Sequence, residues 1–448
     1  MGAIDNQIAA IESAIHSENY YSANLLIRSA MQGQPDNPEL MVLRNRLAEL
    51  VRGLDDDAPI FTVKSPNTIG IQIVDNCNLK CFMCFRQNPT YYVNPFFKKP
   101  MSRAAFESLV EGVNFSNVAS VCLGGSAEVF LHPDILYFMD CILERGCRVQ
   151  FITNGSLIDS KLAEELAARS GYDLQLSLDA FSQETYESIR VGARFDDVIR
   201  KFTYFVQCLR KNNADVSLSI ATVLMRRAIE EFPMIVRFAA DLGIPVVTGI
   251  NLVMTGAAVK YPEESLVFHP ALFNQVRADS LALAAEVGVR VNLPEPFPLR
   301  REDRPVVDSG KSADHWDICH EPWTWLYMGS GGFGVCCGGH PGLPYRKEFM
   351  DEPEAEPFSL KVLTGHHTLT ELFNSQVVRT LRRELVTNTP SPYCRNCLQQ
   401  SNNLHNFSFH SAFNKKAMAP DDYRHARESF IKTFDGTDYL ELMIQEDD

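Results

Sequence analysis

The feature that most restricts this chain is a loop that carries three cysteines directly after an apolar stretch. Residues 69–74 are rich in β-branched side chains, which predicts a short buried strand. Cys77, Cys81 and Cys84 follow at once, at spacings of four and three residues. A strand placed here delivers three thiols into a single loop.

Three thiolates at this spacing can hold a metal centre. Structural zinc takes four ligands, whereas three cysteines on a 4Fe-4S cubane leave one iron open to a further ligand. Two other interpretations are a disulfide pair with a spare thiol, and zinc with a distant fourth ligand. Neither of them explains why the loop follows a strand and begins a series of β-α units.

Composition and charge exclude several classes of function. The chain has 448 residues, of which 42 are basic and 56 acidic, and its net charge is -14. Such a field repels nucleic-acid phosphate, so we expect no nucleic-acid partner. Residues 1–10 lack the basic start and apolar core of a signal peptide, and no apolar run is long enough to span a membrane. We expect a cytoplasmic protein with no membrane partner, whose 12 cysteines serve metal binding and packing.

Residues 1–58 are expected to form an N-terminal helical extension. Apolar residues recur at helical spacing before residue 32 and again after Pro38, which is suited to the first turn of a helix. The pattern is that of about one and a half tetratricopeptide-like hairpins. We expect a cap packed on the next domain, and a peptide-docking module is the alternative.

Between residues 66 and 294, predicted strands and helices alternate. This order predicts an α/β domain with a parallel sheet and right-handed crossovers, open or curled into a partial (β/α)6 TIM-like barrel. The six predicted strands are residues 69–74, 118–123, 147–153, 174–178, 216–223 and 245–252.

Unusual residues follow the carboxyl ends of the first four predicted strands. After the cysteine loop come Gly124-Gly125-Ser-Ala-Glu128, Thr153-Asn154-Gly155 and Ser177-Leu-Asp179. In a parallel barrel these strand ends open on one face, where active sites are built. Glycine lets the backbone approach a ligand closely, and a glutamate can accept hydrogen bonds from a cationic amine. Four separate segments therefore predict one site.

The cysteine loop resembles the Cys-x3-Cys-x2-Cys signature of the radical S-adenosylmethionine (SAM) superfamily. The residue before the third cysteine, usually aromatic in that family, is Met83 here, with Phe82 one place earlier. The resemblance implies that Cys77, Cys81 and Cys84 bind a 4Fe-4S cluster whose open iron binds SAM. It also implies cleavage of SAM to a 5'-deoxyadenosyl radical, hydrogen abstraction from an unactivated carbon, and an external one-electron donor such as flavodoxin or ferredoxin.

The same resemblance implies which residues contact SAM. The loop after the second strand, usually Gly-Gly-Glu, binds the methionine amine in the family, although Ser126 and Ala127 lengthen it here. The fourth strand contacts the ribose, and an arginine approaches the methionine carboxylate, a role that suits a planar guanidinium. The implied SAM-binding residues are Gly124, Gly125, Glu128, Asn154, Ser177, Asp179 and Arg190.

A second group of cysteines lies beyond a proline-rich linker, and consists of Cys319, Cys336, Cys337, Cys394 and Cys397. Residues 323–327 and 333–337 flank a glycine-rich turn and predict a hairpin, and residues 369–385 predict a helix. Four of the five cysteines, with either Cys336 or Cys337, could hold a further cluster. A four-cysteine zinc site fits the Cys-x2-Cys spacing equally well.

Residues 315–400 resemble the twitch, or shortened SPASM, domain of radical SAM enzymes. The resemblance implies a small cysteine-rich α+β domain with one auxiliary 4Fe-4S cluster. Residues 401–448 are expected to form a charged tail.

The expected function is therefore that of a radical SAM enzyme. Its expected substrate is a polar small molecule of the sugar or aminocyclitol type, oxidised or rearranged with help from the auxiliary cluster. One alternative is a peptide maturase that crosslinks, epimerises or oxidises a peptide. Another is a non-catalytic scaffold stabilised by zinc.

Overall fold

The computed structural model describes residues 3–34, 37–87, 100–125, 127–252, 258, 260–266, 269–297, 319–329, 332–335, 368–390 and 394. Its strands are β1 (Thr68–Ile71), β2 (Ser120–Leu123), β3 (Arg148–Thr153), β4 (Tyr172–Ser177), β5 (Val216–Leu224), β6 (Val246–Asn251), β7 (Arg290–Asn292), β8 (Trp325–Gly329) and β9 (Gly332–Gly334).

Along the described parts of the chain, helices precede the first strand, connect successive strands and follow the last strand. They are α1 (Ala3–His16), α2 (Tyr20–Gly33), α3 (Pro38–Val51), α4 (Arg103–Glu111), α5 (Ile135–Leu143), α6 (Ser160–Ala167), α7 (Gln183–Ile189), α8 (Phe195–Asn212), α9 (Phe232–Asp241), α10 (Pro270–Val287), α11 (Glu321–Thr324), α12 (Leu369–Phe373) and α13 (Gln376–Val386). Within the described ranges, none of them has both the length and the apolar character needed to cross a lipid bilayer.

One sheet organises the chain, with the strand order β7-β6-β5-β4-β3-β2-β1-β8-β9. From β1 to β7, each strand pairs in parallel with the next strand along the chain. Right-handed crossovers between consecutive neighbours place the connecting helices on one face of the sheet. This sequential order is that of a partial (β/α) barrel, and it confirms the predicted α/β class with a parallel sheet.

The two faces of the sheet differ in chemistry because successive residues of a strand point to opposite sides. Residues such as Leu123, Leu174 and Val247 are buried and belong to the core beneath the helices. The strand registers place a second set of residues on the opposite face, which we call the polar face. It includes Gly70, Cys122, Gln150, Gln175, Ser177, Ser219, Thr248, Trp325 and Tyr327.

Several predicted boundaries differ from the structure. The first strand ends at Ile71 rather than at residue 74, because its pairing with β2 ends where that strand turns at Gly124. The short strand β7 was not predicted, because three residues cannot display an alternating pattern. The helix expected over 369–385 is two helices, and the break between them contains Asn374.

The predicted hairpin exists as the antiparallel pair β8 and β9, but it begins later than expected. Trp323 lies in α11, whose first turn contains Pro322, instead of in a strand. β8 also pairs in parallel with β1, so a strand from the predicted twitch-like region is part of the main sheet.

The three N-terminal helices pack on one another and contact the C-terminal part of the chain. Ile11, Ile27 and Leu40 are buried, and α3 contacts α13. The Trp323 indole donates to the Ile60 carbonyl at 2.7 Å, and Arg28 donates to the Cys319 carbonyl at 2.8 Å.

Candidate active site

The cysteine loop lies at the carboxyl end of β1 and is held by backbone hydrogen bonds to the segment after α7. The Lys80 amide donates to the Val191 carbonyl at 2.9 Å, and the Phe82 amide donates to the Ile189 carbonyl at 2.8 Å. Since the bonds flank Cys81, they fix the centre of the loop against the domain. Cys81 is buried, while Cys77 and Cys84 are half-buried.

All three thiols of the loop are free. Burial raises the pKa of Cys77, and it raises the pKa of Cys81 to about 11. In the described ranges, no three Cys, His, Asp or Glu side chains converge closely enough to hold a metal ion as they lie.

The predicted residues Arg190 and Asp179 form a buried ion pair beside Cys81. The Arg190 Nε donates to an Asp179 carboxylate oxygen at 2.7 Å, and its Nη1 lies 4.0 Å from the Cys81 sulfur. The other Asp179 oxygen accepts from the Val223 amide at 2.8 Å. Burial lowers the pKa of Arg190, but the negative charge of Asp179 raises it overall. Arg190 is therefore a permanent cation next to the cysteine loop.

Glu128 joins the loop after β2 to the end of β3. Its carboxylate accepts hydrogen bonds from the Thr153 hydroxyl at 2.7 Å and from the Asn154 amide at 2.8 Å. Burial raises its pKa, while these two hydrogen bonds, a third from the Phe130 amide at 3.4 Å and nearby Arg190 act in the opposite direction. A carboxylate has about four acceptor sites, so the observed bonds leave room for a further donor.

Asn154 connects the same region to the cysteine loop. Its side-chain amide donates to the Asn78 side chain at 3.0 Å, and its oxygen accepts from the Ser156 amide at 2.9 Å. Ser177 lies at the end of β4 and is half-buried. The loops after β1, β2 and β3 are thus joined by side-chain hydrogen bonds, while Ser177 lies at the end of the neighbouring strand.

The structure places Gly124 and Gly125 directly after β2, with φ angles of 145° and 157°. These angles lie in the region that favours glycine, so the predicted turn depends on both residues. Gly124 is buried and Gly125 is exposed.

Sequence reasoning missed Gln72, Trp325 and Tyr327, which border this region. The Tyr327 hydroxyl donates to the Gln72 side-chain oxygen at 2.9 Å, and the Trp325 and Tyr327 rings are stacked with centroids 5.5 Å apart. The available signal was Gly70, since a glycine inside an apolar strand often marks a close approach by another group.

The second group of cysteines is described only in part. Cys319 and Cys394 are both half-buried. Cys336, Cys337 and Cys397 lie outside the described residues.

The residues present fit a three-cysteine 4Fe-4S cluster by the chemistry of their donors. Three free thiols share one loop, and a buried guanidinium beside Cys81 offsets the negative charge that metal-bound thiolates carry. Binding of a metal displaces thiol protons, so the raised pKa values make loading dependent on pH.

A family model described as the radical SAM superfamily matches residues 71–239. An AdoMet-dependent heme synthase from Methanosarcina barkeri is 27% identical over 207 residues, which are 46% of this chain and 56% of that protein. The mycofactocin maturase MftC from Mycobacterium tuberculosis is 24% identical over 199 residues, which are 44% of this chain and 45% of that protein. The chain thus spans about half the length of these two relatives.

A solved structure of Streptococcus suis SuiB bound to the precursor peptide SuiA is also similar. It has a TM-score of 0.49 and 16% identity, and the match covers 78% of this chain and 72% of that chain. The family match begins on β1 and includes the cysteine loop as well as the loops after β2, β3 and β4. Residues 71–239 of this chain thus match the radical SAM superfamily, whose proteins bind a 4Fe-4S cluster and SAM.

Proposed function

We propose that this chain is a radical SAM enzyme that removes a hydrogen atom from an unactivated carbon of its substrate. The observation that carries the proposal is the loop of three free thiols at the carboxyl end of β1, with Arg190 beside Cys81. When bound, the cluster would supply the electron that cleaves SAM and so gives the radical that takes the hydrogen atom.

The protein side chains would position the cofactors and exclude water. Cys77, Cys81 and Cys84 would hold the cluster, and Arg190 would offset its negative charge. Glu128 would accept a hydrogen bond from the methionine amine of SAM, close to the exposed backbone of Gly125. Ser177, Asp179 and Asn154 remain proposed SAM contacts, although both Asp179 oxygens already accept hydrogen bonds.

The polar face supports an uncharged polar substrate such as a sugar or an aminocyclitol. Gln150, Gln175, Ser219 and Thr248 are half-buried on that face and offer amide and hydroxyl groups. A site with amides and hydroxyls can pair substrate hydroxyls, which an apolar face would leave unsatisfied. Dehydrogenation or rearrangement at a carbon that bears a hydroxyl group would suit these surroundings.

A peptide substrate is the second candidate. It is supported by the similarity to a protein named as a maturase and by the N-terminal helices, whose pattern resembles peptide-docking repeats. In either case we propose an external one-electron donor such as flavodoxin or ferredoxin. We also propose that Cys319, Cys394 and Cys397, with Cys336 or Cys337, bind an auxiliary 4Fe-4S cluster.

The test of catalysis is anaerobic reconstitution with iron and sulfide, followed by incubation with SAM and a reductant. We expect 5'-deoxyadenosine from the unaltered chain and none from Cys84→Ala, because the cluster needs all three thiolates. Cys208→Ser, in α8 and outside the loop, is the matched control and should keep activity. Wild-type turnover by Cys84→Ala, or a colourless protein with stoichiometric zinc, contradicts the proposal.

Metal analysis and isotope transfer test the finer proposals. Two clusters require about eight irons per chain, whereas one cluster requires about four. Incubation with deuterated metabolite fractions and deuterated peptide fractions, followed by mass spectrometry of 5'-deoxyadenosine, identifies the substrate class. Deuterium from the peptide fraction alone would exclude the small-molecule proposal.

A further inference from the structure

We propose that Tyr327 is a positioning residue for SAM, which holds the Gly124–Gly125 loop in place from β8. The inference rests on the proposed function, since it takes that loop as part of the SAM site. Tyr327 lies outside residues 71–239, the interval that matches the family. A strand from the C-terminal part of the chain would then complete the cofactor site of the main domain.

The first observation is the contact between Tyr327 and Gly70. The two residues are register partners on β8 and β1. A Cβ atom added to Gly70 would lie 2.6 Å from Cδ2 of the Tyr327 ring, which is closer than real Cβ contacts come. Gly70 has no positive φ angle, so its backbone conformation does not require glycine. Glycine is required at this position because a side chain would occupy the space of the tyrosine ring.

The second observation is that the same ring reaches the loop after β2. A Cβ atom added to Gly125 would overlap the Tyr327 hydroxyl, and it would lie 3.3 Å from Cζ of the ring. Two glycines on separate segments thus leave space for one side chain. Tyr327 fills the gap between β1 and the loop.

The orientation of the Tyr327 ring is fixed on two sides. Its hydroxyl donates to the Gln72 side-chain oxygen at 2.9 Å, and its ring is parallel to that of Trp325 within 3°. The backbone amide of Gln72 in turn donates to the Met328 carbonyl at 2.8 Å, and this bond connects β8 to the residue after β1. A ring held in this way is a rigid wall.

A rigid wall matters because the loop that it contacts contains two successive glycines. Glycine has more conformational freedom than any other residue, and two in succession can adopt many backbone shapes. Confining them before a ligand arrives reduces the entropy that binding must offset. Removal of the wall should therefore weaken SAM binding without removing any direct SAM contact.

The test measures SAM affinity by equilibrium dialysis with labelled SAM on anaerobically reconstituted protein. We expect Tyr327→Ala to weaken binding by about tenfold or more, and Tyr327→Phe by less than about threefold, since the ring remains. Gly70→Ala should also weaken binding, because its methyl group displaces the ring. Introduced into Tyr327→Ala, Gly70→Ala should cause no further loss, since coupled residues are not additive.

Gly249→Ala is the matched control. Gly249 is also a strand glycine without a positive φ angle, and its added Cβ atom would lie 2.5 Å from a Leu293 methyl carbon on the other face. We expect it to lower thermal stability as Gly70→Ala does, with SAM affinity and iron content unchanged.

The outcomes separate this inference from the proposed function. If the reconstituted wild-type chain binds no SAM, the proposed function fails. If it binds SAM and Tyr327→Ala binds equally well, the positioning role is wrong. Additive losses from Gly70→Ala and Tyr327→Ala would also overturn it. If Gly70→Ala does not fold, the comparison of Tyr327→Ala with Tyr327→Phe decides, and equal affinities overturn the inference.

Discussion

Arg190 and Asp179 show how two polar residues can be buried together at the base of the site. Their side chains are almost inaccessible, and both Asp179 oxygens have donors. Burial of an ion pair costs desolvation, which the pair recovers only while both partners remain. The pair thus places the Arg190 cation beside Cys81. The stability of this region then depends on Asp179, which supplies the counter-charge.

We expect Asp179→Asn to lower the free energy of unfolding by about 3–5 kcal/mol, because it leaves the Arg190 charge buried without a counter-charge. The double variant Asp179→Leu with Arg190→Met should lose less unfolding free energy than the single variants Asp179→Leu and Arg190→Met lose in sum. Guanidinium denaturation checks both. Arg226→Met is the control, since its pair with Glu230 is exposed and should contribute at most about 1 kcal/mol. An equal loss in Asp179→Asn and this control contradicts the argument.

His132 supplies a prediction about pH. Its Nδ1 accepts from the Asp134 amide at 3.0 Å, and its Nε2 contacts the Met101 carbonyl at 2.8 Å, so the neutral ring with a proton on Nε2 satisfies both. Burial lowers the pKa of His132 in the folded chain. As pH falls below about 6.5, the unfolded chain takes up a proton that the folded chain resists, so stability falls.

We therefore expect a free energy of unfolding that decreases with falling pH below about 6.5, with a shallower slope in His132→Phe. Denaturant titrations at several pH values measure this slope. An identical slope in the variant would show that other groups cause the acid sensitivity.

At the scale of elements, Arg382 of α13 ties three segments together. The guanidinium is fully buried and donates to the carbonyls of Pro322, Phe61 and Phe373 at 2.7–2.9 Å. Burial lowers its pKa to about 9. Because its partners are carbonyls of α11, α12 and the segment after α3, one side chain holds the C-terminal helices against the segment that follows the N-terminal extension.

We expect Arg382→Met to destabilise the chain by at least about 2 kcal/mol, since it leaves buried carbonyls without donors. Arg379→Met, three residues earlier on the same helix, should cost at most about 1 kcal/mol because its partner Asp57 is exposed. Chemical denaturation and limited proteolysis compare the two variants. Similar midpoints for both would refute the proposed role of Arg382.

At the scale of the whole molecule, the N-terminal helices are integrated with the rest of the fold. Arg28 packs over the Trp323 ring with its guanidinium carbon 4.7 Å from the centroid, and Trp323 is completely buried. The Arg28 guanidinium also donates a hydrogen bond to the backbone carbonyl of Cys319, a residue that we propose as a ligand of the auxiliary cluster. The extension therefore contacts the segment that would carry this cluster.

We expect removal of residues 1–58 to expose Trp323 and to lower the unfolding temperature of the remaining chain. The physical reason is the loss of apolar burial together with the Arg28 contacts. Acrylamide quenching of tryptophan fluorescence and thermal scans measure the two effects. Arg28→Met in the full chain should show a smaller change of the same sign, and an unchanged truncated chain would mean that the helices are an independent module.

The features that depend on nearby residues could be predicted from the sequence. The three-cysteine loop, the alternation of strands and helices, and the glycine turn after β2 were all predicted, because spacing and periodicity are local. The N-cap of α4 is local in the same way, since the Ser102 side chain accepts a hydrogen bond from the Ala105 amide three residues later. The cysteine loop could be recognised from the sequence, since the three thiols lie within eight residues, and its cluster-binding role stays a prediction.

The contacts between segments that lie far apart in the sequence could not be predicted and are seen only in the folded chain. Asn374 and Val63 exchange two hydrogen bonds across 311 residues, at the break between α12 and α13. Tyr327 donates a hydrogen bond to Gln72, which lies 255 residues earlier in the chain, and β8 pairs with β1. No local pattern encodes such pairings, because they follow from how whole faces pack and satisfy buried polar groups. The thiols were therefore predictable from spacing, whereas the side chains that surround them were placed by packing across the entire chain.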